Sequence, residues 1–162
     1  MPAEGALLVA RADASREAGT GHFMRTLALA QAWRDAGGRV RWLLTEAPAP
    51  LRARLDEEAI ELQEVPGPRA GAADAAALRE AMSVNPRTAA VVDGLEFDAA
   101  YLETLGPAAA RTLLIDDAAA RSSYRVGLVL NQNAHAELAA YPAASPENKS
   151  AKRIEMARLT KV

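Results

Sequence analysis

Cysteine is absent from this chain of 162 residues, and histidine and aromatic residues are scarce. Without cysteine there can be no disulfide, thiolate nucleophile or cysteine-ligated metal, and the two histidines are too few for most histidine-rich metal sites. No apolar run approaches the roughly 20 residues of a membrane-spanning helix, and the N-terminus lacks the basic and apolar regions of a signal peptide. These absences predict a cytoplasmic protein with no metal and no membrane partner.

A large excess of either charge is lacking as well. The 19 basic and 21 acidic residues give a formal net charge of -2, which argues against nucleic-acid binding through net charge. All three lysines (Lys149, Lys152 and Lys161) lie near the C-terminus. We therefore expect one domain over residues 1–144 and a tail of different composition over residues 145–162, either a short helix or a basic partner-binding segment.

The body of the chain alternates short apolar runs with helix-like segments. The apolar runs predict six strands, at 7–9, 40–44, 60–65, 88–92, 112–115 and 126–130. Spacings of three and four predict helices at 22–36, 51–59, 72–82 and near 97–105, the first of them ending at Gly37-Gly38. This alternation predicts an α/β, doubly wound, Rossmann-like sheet that is mostly parallel, with helices on both faces.

Polar residues follow the predicted strands where a parallel sheet presents its carboxyl edge. Arg11 and Asp13 follow the first strand, Asp93 the fourth, Asp116 the fifth and Asn131 the sixth. Ligands of open α/β sheets bind at this edge, so these residues are candidates for a binding site. Ordinary helix capping and turn formation by Asp and Asn explain any single one of them equally well.

Gly19, Thr20 and Gly21, hereafter the glycine loop, lie between the first strand and the first helix. Glycines let a ligand approach the backbone, and the amide groups at a helix start favour an anion such as a phosphate. The segment lacks the third glycine of the dinucleotide fingerprint, and no Gly-Lys-Ser/Thr follows it. Nicotinamide and ATP binding are therefore disfavoured, and we expect no cofactor.

His22 directly follows the glycine loop. The positive end of the helix dipole disfavours an imidazolium there, so we expect a neutral ring that can act as a general base. Capping of the helix or packing under the loop is an equally good interpretation of this residue.

The amino-acid sequences of several of these segments resemble those of one enzyme family. The resemblance rests on Arg11-Ala12-Asp13-Ala14-Ser15, on the run from Gly19 to Ala30, on Val91-Val92-Asp93, on Leu114-Ile115-Asp116-Asp117, and on Leu128-Val129-Leu130-Asn131-Gln132-Asn133. In this order they resemble the UDP-sugar hydrolases of pseudaminic acid biosynthesis, with related sequences among spore-coat polysaccharide proteins. The resemblance extends from about residue 7 to Tyr141.

The resemblance implies a glycosyltransferase B architecture, with two Rossmann-like domains and a cleft between them. It implies metal-independent hydrolysis of UDP-2,4-diacetamido-2,4,6-trideoxy-β-L-altropyranose by attack of water at the anomeric carbon, with inversion. His22 would be the base, and the glycine loop would lie beside the diphosphate. The candidate substrate-binding residues are Arg11, Asp13, Gly19, Thr20, Gly21, Asp93, Asp116 and Asn131.

The chain departs from the family pattern at three places. Leu95 stands where the family usually has tyrosine, and Val126-Gly127 where it usually has Cys-Asp. The Leu-Gly-Pro-x-Tyr segment that enters the second domain is absent. We therefore expect the N-terminal half of such a hydrolase, weak or inactive alone. Two alternatives are a non-catalytic module that pairs with a separately encoded C-terminal half or another sugar-pathway protein, and an independent nucleotide-binding domain. The partners we expect are a UDP-sugar and either a C-terminal domain or a second copy of the chain.

Overall fold

The computed structural model describes residues 4–119 and 121–133, which form one sheet covered by helices. The strands are β1 (Leu7–Ala12), β2 (Arg39–Leu44), β3 (Glu61–Glu64), β4 (Ala89–Asp93), β5 (Thr112–Ile115) and β6 (Leu128–Leu130). The helices are α1 (Gly21–Asp35), α2 (Ala49–Glu57), α3 (Ala72–Ser83), α4 (Ala99–Thr104) and a 3₁₀ helix (Gly106–Arg111). The predicted tail, residues 145–162, lies outside the described residues.

All strand pairs are parallel, in the order β3-β2-β1-β4-β5-β6. The chain moves outward from β1 to β3 and then returns to place β4 on the other side of β1. This is the strand order of a doubly wound Rossmann fold, so the predicted fold class is confirmed. Within the described residues, none of the helices is long and apolar enough to cross a membrane.

Alternation along the strands builds a core on each face of the sheet. Leu8 of β1 packs with Phe23 of α1 and Trp42 of β2 on one face. Val9 points to the opposite face and packs in the core that includes Leu78 of α3. Burying an apolar side chain of this size contributes about 1.5–3 kcal/mol. The two faces together hold α1 and α3 on opposite sides of the central strand.

The first helix ends as the Gly37-Gly38 pair predicts. Gly37 has a φ of +87°, in the left-handed region that favours glycine. Its N–H donates to the Arg34 carbonyl at 2.8 Å, and the Gly38 N–H donates to the Trp33 carbonyl at 3.0 Å. This pair of bonds is a Schellman motif, which satisfies the last carbonyls of α1 and turns the chain into β2.

The sixth strand begins later than predicted, at Leu128 instead of residue 126. The Gly127 N–H donates to the Ala109 carbonyl at 2.7 Å. A Cβ at position 127 would lie only 2.1 Å from the Ala110 carbonyl oxygen. Gly127 thus packs directly on the backbone of the 3₁₀ helix, which explains why this chain has no larger residue there.

A buried ion pair joins the central strand to α3. Arg11 is fully buried, and its Nε and Nη2 donate to the Asp74 carboxylate at 2.8 and 2.6 Å. Nη2 also donates to Asp13 at 2.7 Å, and the Tyr101 hydroxyl donates to Asp74 at 3.1 Å. The guanidinium carbon lies 5.0 Å from the centre of the Phe97 ring. Arg11 therefore connects β1, α3 and α4.

We expect Asp74→Ala to lower the free energy of unfolding by about 3–5 kcal/mol, because it leaves the buried Arg11 charge without its main partner. The matched control is Arg54→Ala, which breaks pairs with Glu57 and Glu58 from a side chain that is 51% exposed. Exposed pairs are worth about 0–1 kcal/mol. Urea unfolding followed by circular dichroism measures both losses, and equal losses would contradict this account of Arg11.

Candidate functional site

The ends of the strands meet at one edge of the sheet. Asp13 follows β1, Asp93 ends β4, Asp116 follows β5 and Asn131 follows β6. β1 and β4 are adjacent, but the chain continues from β1 to β2 on one side and from β4 to β5 on the other. The carboxyl ends of β1 and β4 therefore mark the topological switch point. Ligands of open α/β sheets bind in the crevice at this point.

The glycine loop lies on this edge and is exposed to solvent. Gly19 has a φ of +72°, and its N–H donates to the Ser15 carbonyl at 2.9 Å. Thr20 precedes α1 without making a side-chain capping bond, and the first turn of α1 contains no acidic residue. An ideal Cβ on Gly21 would meet no atom within 4 Å. The start of α1 is therefore exposed and has no side-chain cap, as an anion site at a helix N-terminus requires.

His22 is bonded to the end of β4. Its Nδ1 lies 2.8 Å from Oδ1 of Asp93. The His22 side chain is 19% exposed, whereas the Asp93 side chain is 0% exposed. The buried carboxylate thus holds one ring nitrogen, and the imidazole remains partly accessible beside the glycine loop.

Arg25 binds the same carboxylate from the next turn of α1. Its Nε donates to Oδ2 of Asp93 and its Nη2 donates to Oδ1 at 2.6 Å. Its Nη1 donates to Asp117 at 2.7 Å. Its Nη2 also lies 2.9 Å from Nδ1 of His22. His22, Arg25, Asp93 and Asp117 together form the Asp93 cluster, which joins α1 to the ends of β4 and β5.

The pKa of His22 shifts in the direction opposite to the sequence prediction. The hydrogen bond to Asp93 raises the pKa of His22 above its ordinary value, although partial burial and Arg25 act in the opposite direction. The expectation that the helix start keeps the ring neutral is therefore wrong in direction. The carboxylate in direct contact outweighs the partial charge of the helix end.

The two contacts of Nδ1 have different requirements. Asp93 can only accept a hydrogen bond, and Arg25 can only donate one. Nδ1 therefore donates to Asp93 when it carries a proton, and it accepts from Arg25 when it does not. When Nδ1–H donates to Asp93, the lone pair of the neutral ring is on Nε2, which is then the nitrogen that can take a proton.

Besides Asp93, three of the candidate binding residues have buried side chains that bond within the protein, and Arg11 and Asp13 are two of them. Arg11 bonds to Asp74 and is 0% exposed, so its side chain offers no surface to a ligand. Asp13 accepts from the backbone N–H groups of Thr45 and Glu46 at 2.8 and 3.0 Å. These two residues hold the sheet edge in shape, and we keep neither as a ligand contact.

Asp116 is also buried, and it forms an ion pair with Arg121 at 3.0 Å and accepts from the Tyr124 hydroxyl. Asn131 is partly buried and accepts from the Asn133 N–H at 3.0 Å. Both residues shape the loops that follow β5 and β6. Gly19, Thr20 and Gly21 are exposed, and His22 and Asn131 are partly exposed, so these five are the candidates that the structure leaves accessible.

Arg25 and Asp117 are the members of the cluster that are absent from the candidates chosen by sequence. Arg25 lies three residues after His22, a spacing that puts two side chains on one helix face. Asp117 adjoins Asp116 at the end of the fifth strand. Either signal could have added these residues, but Asp93, the carboxylate that Arg25 shares with His22, is 68 positions from Arg25 along the chain.

Comparisons with known proteins give a fold but no family. No protein-family profile matches the chain, and no curated protein matches its sequence. Among solved structures, MurG from Acinetobacter baumannii is similar, with a TM-score of 0.52 and 18% sequence identity. The similarity covers 94% of this chain and 45% of the MurG chain, so this chain spans less than half of that protein. The likeness shows the fold alone, a Rossmann-like domain that corresponds to one half of a glycosyltransferase B architecture.

Proposed function

We propose that this domain binds the diphosphate of a nucleotide sugar at the glycine loop and places His22 beside the anomeric carbon. The observation that carries the proposal is the His22–Asp93 pair, which lies at the switch point and next to the exposed start of α1. A base held by a buried carboxylate, beside amide groups suited to an anion, fits the displacement of a diphosphate leaving group.

The finer proposal is hydrolysis of a UDP-linked diacetamido-trideoxy sugar, and the resemblance to pseudaminic acid pathway hydrolases supports it. Nε2 of His22 accepts a proton from water as the water oxygen bonds to the anomeric carbon. The bond from that carbon to UDP breaks, and its electron pair leaves on the β-phosphate oxygen. Amide groups of the glycine loop stabilise the charge that develops there. The products are UDP and the free sugar with inverted configuration.

A second candidate function is a non-catalytic nucleotide-sugar module that acts with a separate C-terminal half. The exposed, uncapped start of α1 supports it as it supports the hydrolase. The second domain of the architecture would complete the cleft that faces the glycine loop. The two candidates share the binding site and differ in turnover.

We expect Gly21→Val to weaken UDP binding at least about tenfold, or about 1.4 kcal/mol. The added side chain has room in the folded protein, since a Cβ at this position meets nothing within 4 Å. It would occupy the space where the proposed diphosphate approaches the helix start. The matched control is Ala28→Val, an exposed position two turns further along α1. Titration of both variants with UDP, followed by amide NMR signals, measures the affinities.

Absence of UDP binding by the unmodified chain would overturn the proposed function as a whole. Equal affinities of the Gly21→Val and Ala28→Val variants would remove the glycine loop from the binding site.

We expect His22→Gln to lower the rate of UDP release from the nucleotide sugar by about 10²–10⁴, the usual contribution of a general base. UDP affinity should change much less, because the proposed anion contacts are backbone amides. Phosphorus NMR of the released UDP measures turnover, with His135→Gln as the control for the other histidine. UDP binding without any turnover by the unmodified chain would support the non-catalytic module instead.

The rate should rise with pH through a midpoint above about 6.5, because Asp93 raises the pKa of His22 and only the neutral ring accepts a proton. Asp93→Asn should move this midpoint to lower pH. The same shift has a stability consequence: the stabilisation from the His22–Asp93 pair is complete below the unfolded pKa of about 6.5 and is lost as pH rises through the folded pKa. Proton NMR of the His22 ring measures the midpoint, and an unchanged midpoint in Asp93→Asn would contradict the pairing.

A further inference from the structure

The Asp93 carboxylate is fully buried and needs positive charge beside it. Two side chains can supply this charge, the permanently ionised Arg25 and the titratable His22. Resting on the proposed function, we propose that Arg25 is a positioning residue for the base. It holds the Asp93 carboxylate toward His22 and supplies the positive charge that Asp93 would otherwise take from a protonated imidazole.

The hydrogen bonds of Arg25 fit this role, because each of its three nitrogen atoms binds a carboxylate. Nε and Nη2 bind the two oxygens of Asp93, which fixes the plane of the carboxylate as a bidentate pair does. Nη1 binds Asp117, which anchors the far side of the guanidinium to the segment after β5. Thr26 adds a longer bond to Oδ2 of Asp93 at 3.3 Å. Asp93 therefore presents Oδ1 to His22 in one orientation.

The charges around the His22 ring come from three segments. Asp93 at the end of β4 and Glu96 in the following loop raise the pKa of His22, and Arg25 on α1 lowers it. Asp117, after β5, faces Arg25, which lowers the pKa of this carboxyl. Without Arg25 the carboxylates around the ring would be unopposed. A ring that stays protonated cannot accept a proton from water, so Arg25 keeps the base usable near neutral pH.

Two properties of Arg25 can be separated by substitution. Arg25→Met removes the charge and the fork, and Arg25→Lys keeps a positive charge but cannot bind both oxygens of Asp93 in the same planar way. We expect Arg25→Met to raise the His22 titration midpoint by about one to three pH units, the range for loss of a neighbouring charge. Arg25→Lys should keep the midpoint near that of the unmodified chain and lower the plateau rate above it.

The experiment is a pH titration of the His22 ring by NMR in the full chain, paired with the pH profile of UDP release. The control is Arg34→Met on the same helix. The charged partner of Arg34 is Glu58, at 3.8 Å, which lies outside the Asp93 cluster. Asp117→Asn is a milder variant that loosens Arg25 and leaves its fork on Asp93. Because it also removes a negative charge that favours the protonated ring, it should lower the midpoint, opposite in sign to Arg25→Met, and a rise in Asp117→Asn would contradict the charge account.

A His22 midpoint in Arg25→Met within about 0.3 pH units of that of Arg34→Met, small beside the expected shift, would overturn the proposal. If Arg25→Met does not fold, Arg25→Lys provides the test. A His22 midpoint in Arg25→Lys that lies about one to three pH units above that of the unmodified chain, as for loss of the charge, would overturn the proposal. The ring titration needs no substrate, so failure of the chain to bind UDP or to turn over would overturn the proposed function and leave this result intact.

Discussion

The ion pair between Arg11 and Asp74 is the interaction on which the placement of α3 and α4 depends. Arg11 lies in the central strand and points into a face of the sheet with 0% of its side chain exposed. A guanidinium buried this completely costs several kcal/mol unless carboxylates surround it. Asp74 from α3 and Asp13 after β1 meet that requirement, and the Tyr101 hydroxyl of α4 donates to the Asp74 carboxylate. The packing of Phe97 over the guanidinium then fixes the loop that follows β4.

The loop after β4 adjoins the candidate site, which contains a second buried carboxylate, Asp93. The surroundings of Asp93 differ from those of Asp74. Arg121 donates to the carbonyls of Gly94 and Phe97, so the segment just after Asp93 is held on both sides. The partners of Asp93 are His22 and Arg25, whose side chains are 19% and 15% exposed. The partner of Asp74 has no exposure at all. Both carboxylates are paired, but only the pairing at Asp93 can be reached by a ligand.

Local patterns predict most of the fold, because the positions of strands and helices and the helix ends follow from short segments. The apolar runs and the Gly37-Gly38 stop need no information from distant residues. Asp74 shows where such reasoning ends: a single acid in the first turn of an alanine-rich helix is explained by the helix dipole, and nothing local points to Arg11. His22 shows the same limit, because its dipole environment is local whereas its carboxylate partner is 71 positions away. Tertiary pairing decides both cases.

The site places opposite demands on positive charge. A diphosphate is attracted by a protonated His22, while a base must have lost that proton. The carboxylates of the Asp93 cluster, with Glu96 nearby, outnumber Arg25, so the ionised side chains here do not attract an anion. The exposed amide groups at the start of α1 satisfy both demands, because their partial charges do not change with pH. In the proposed function, binding at the backbone leaves His22 free to lose its proton, and a loop of glycine and threonine suits this division.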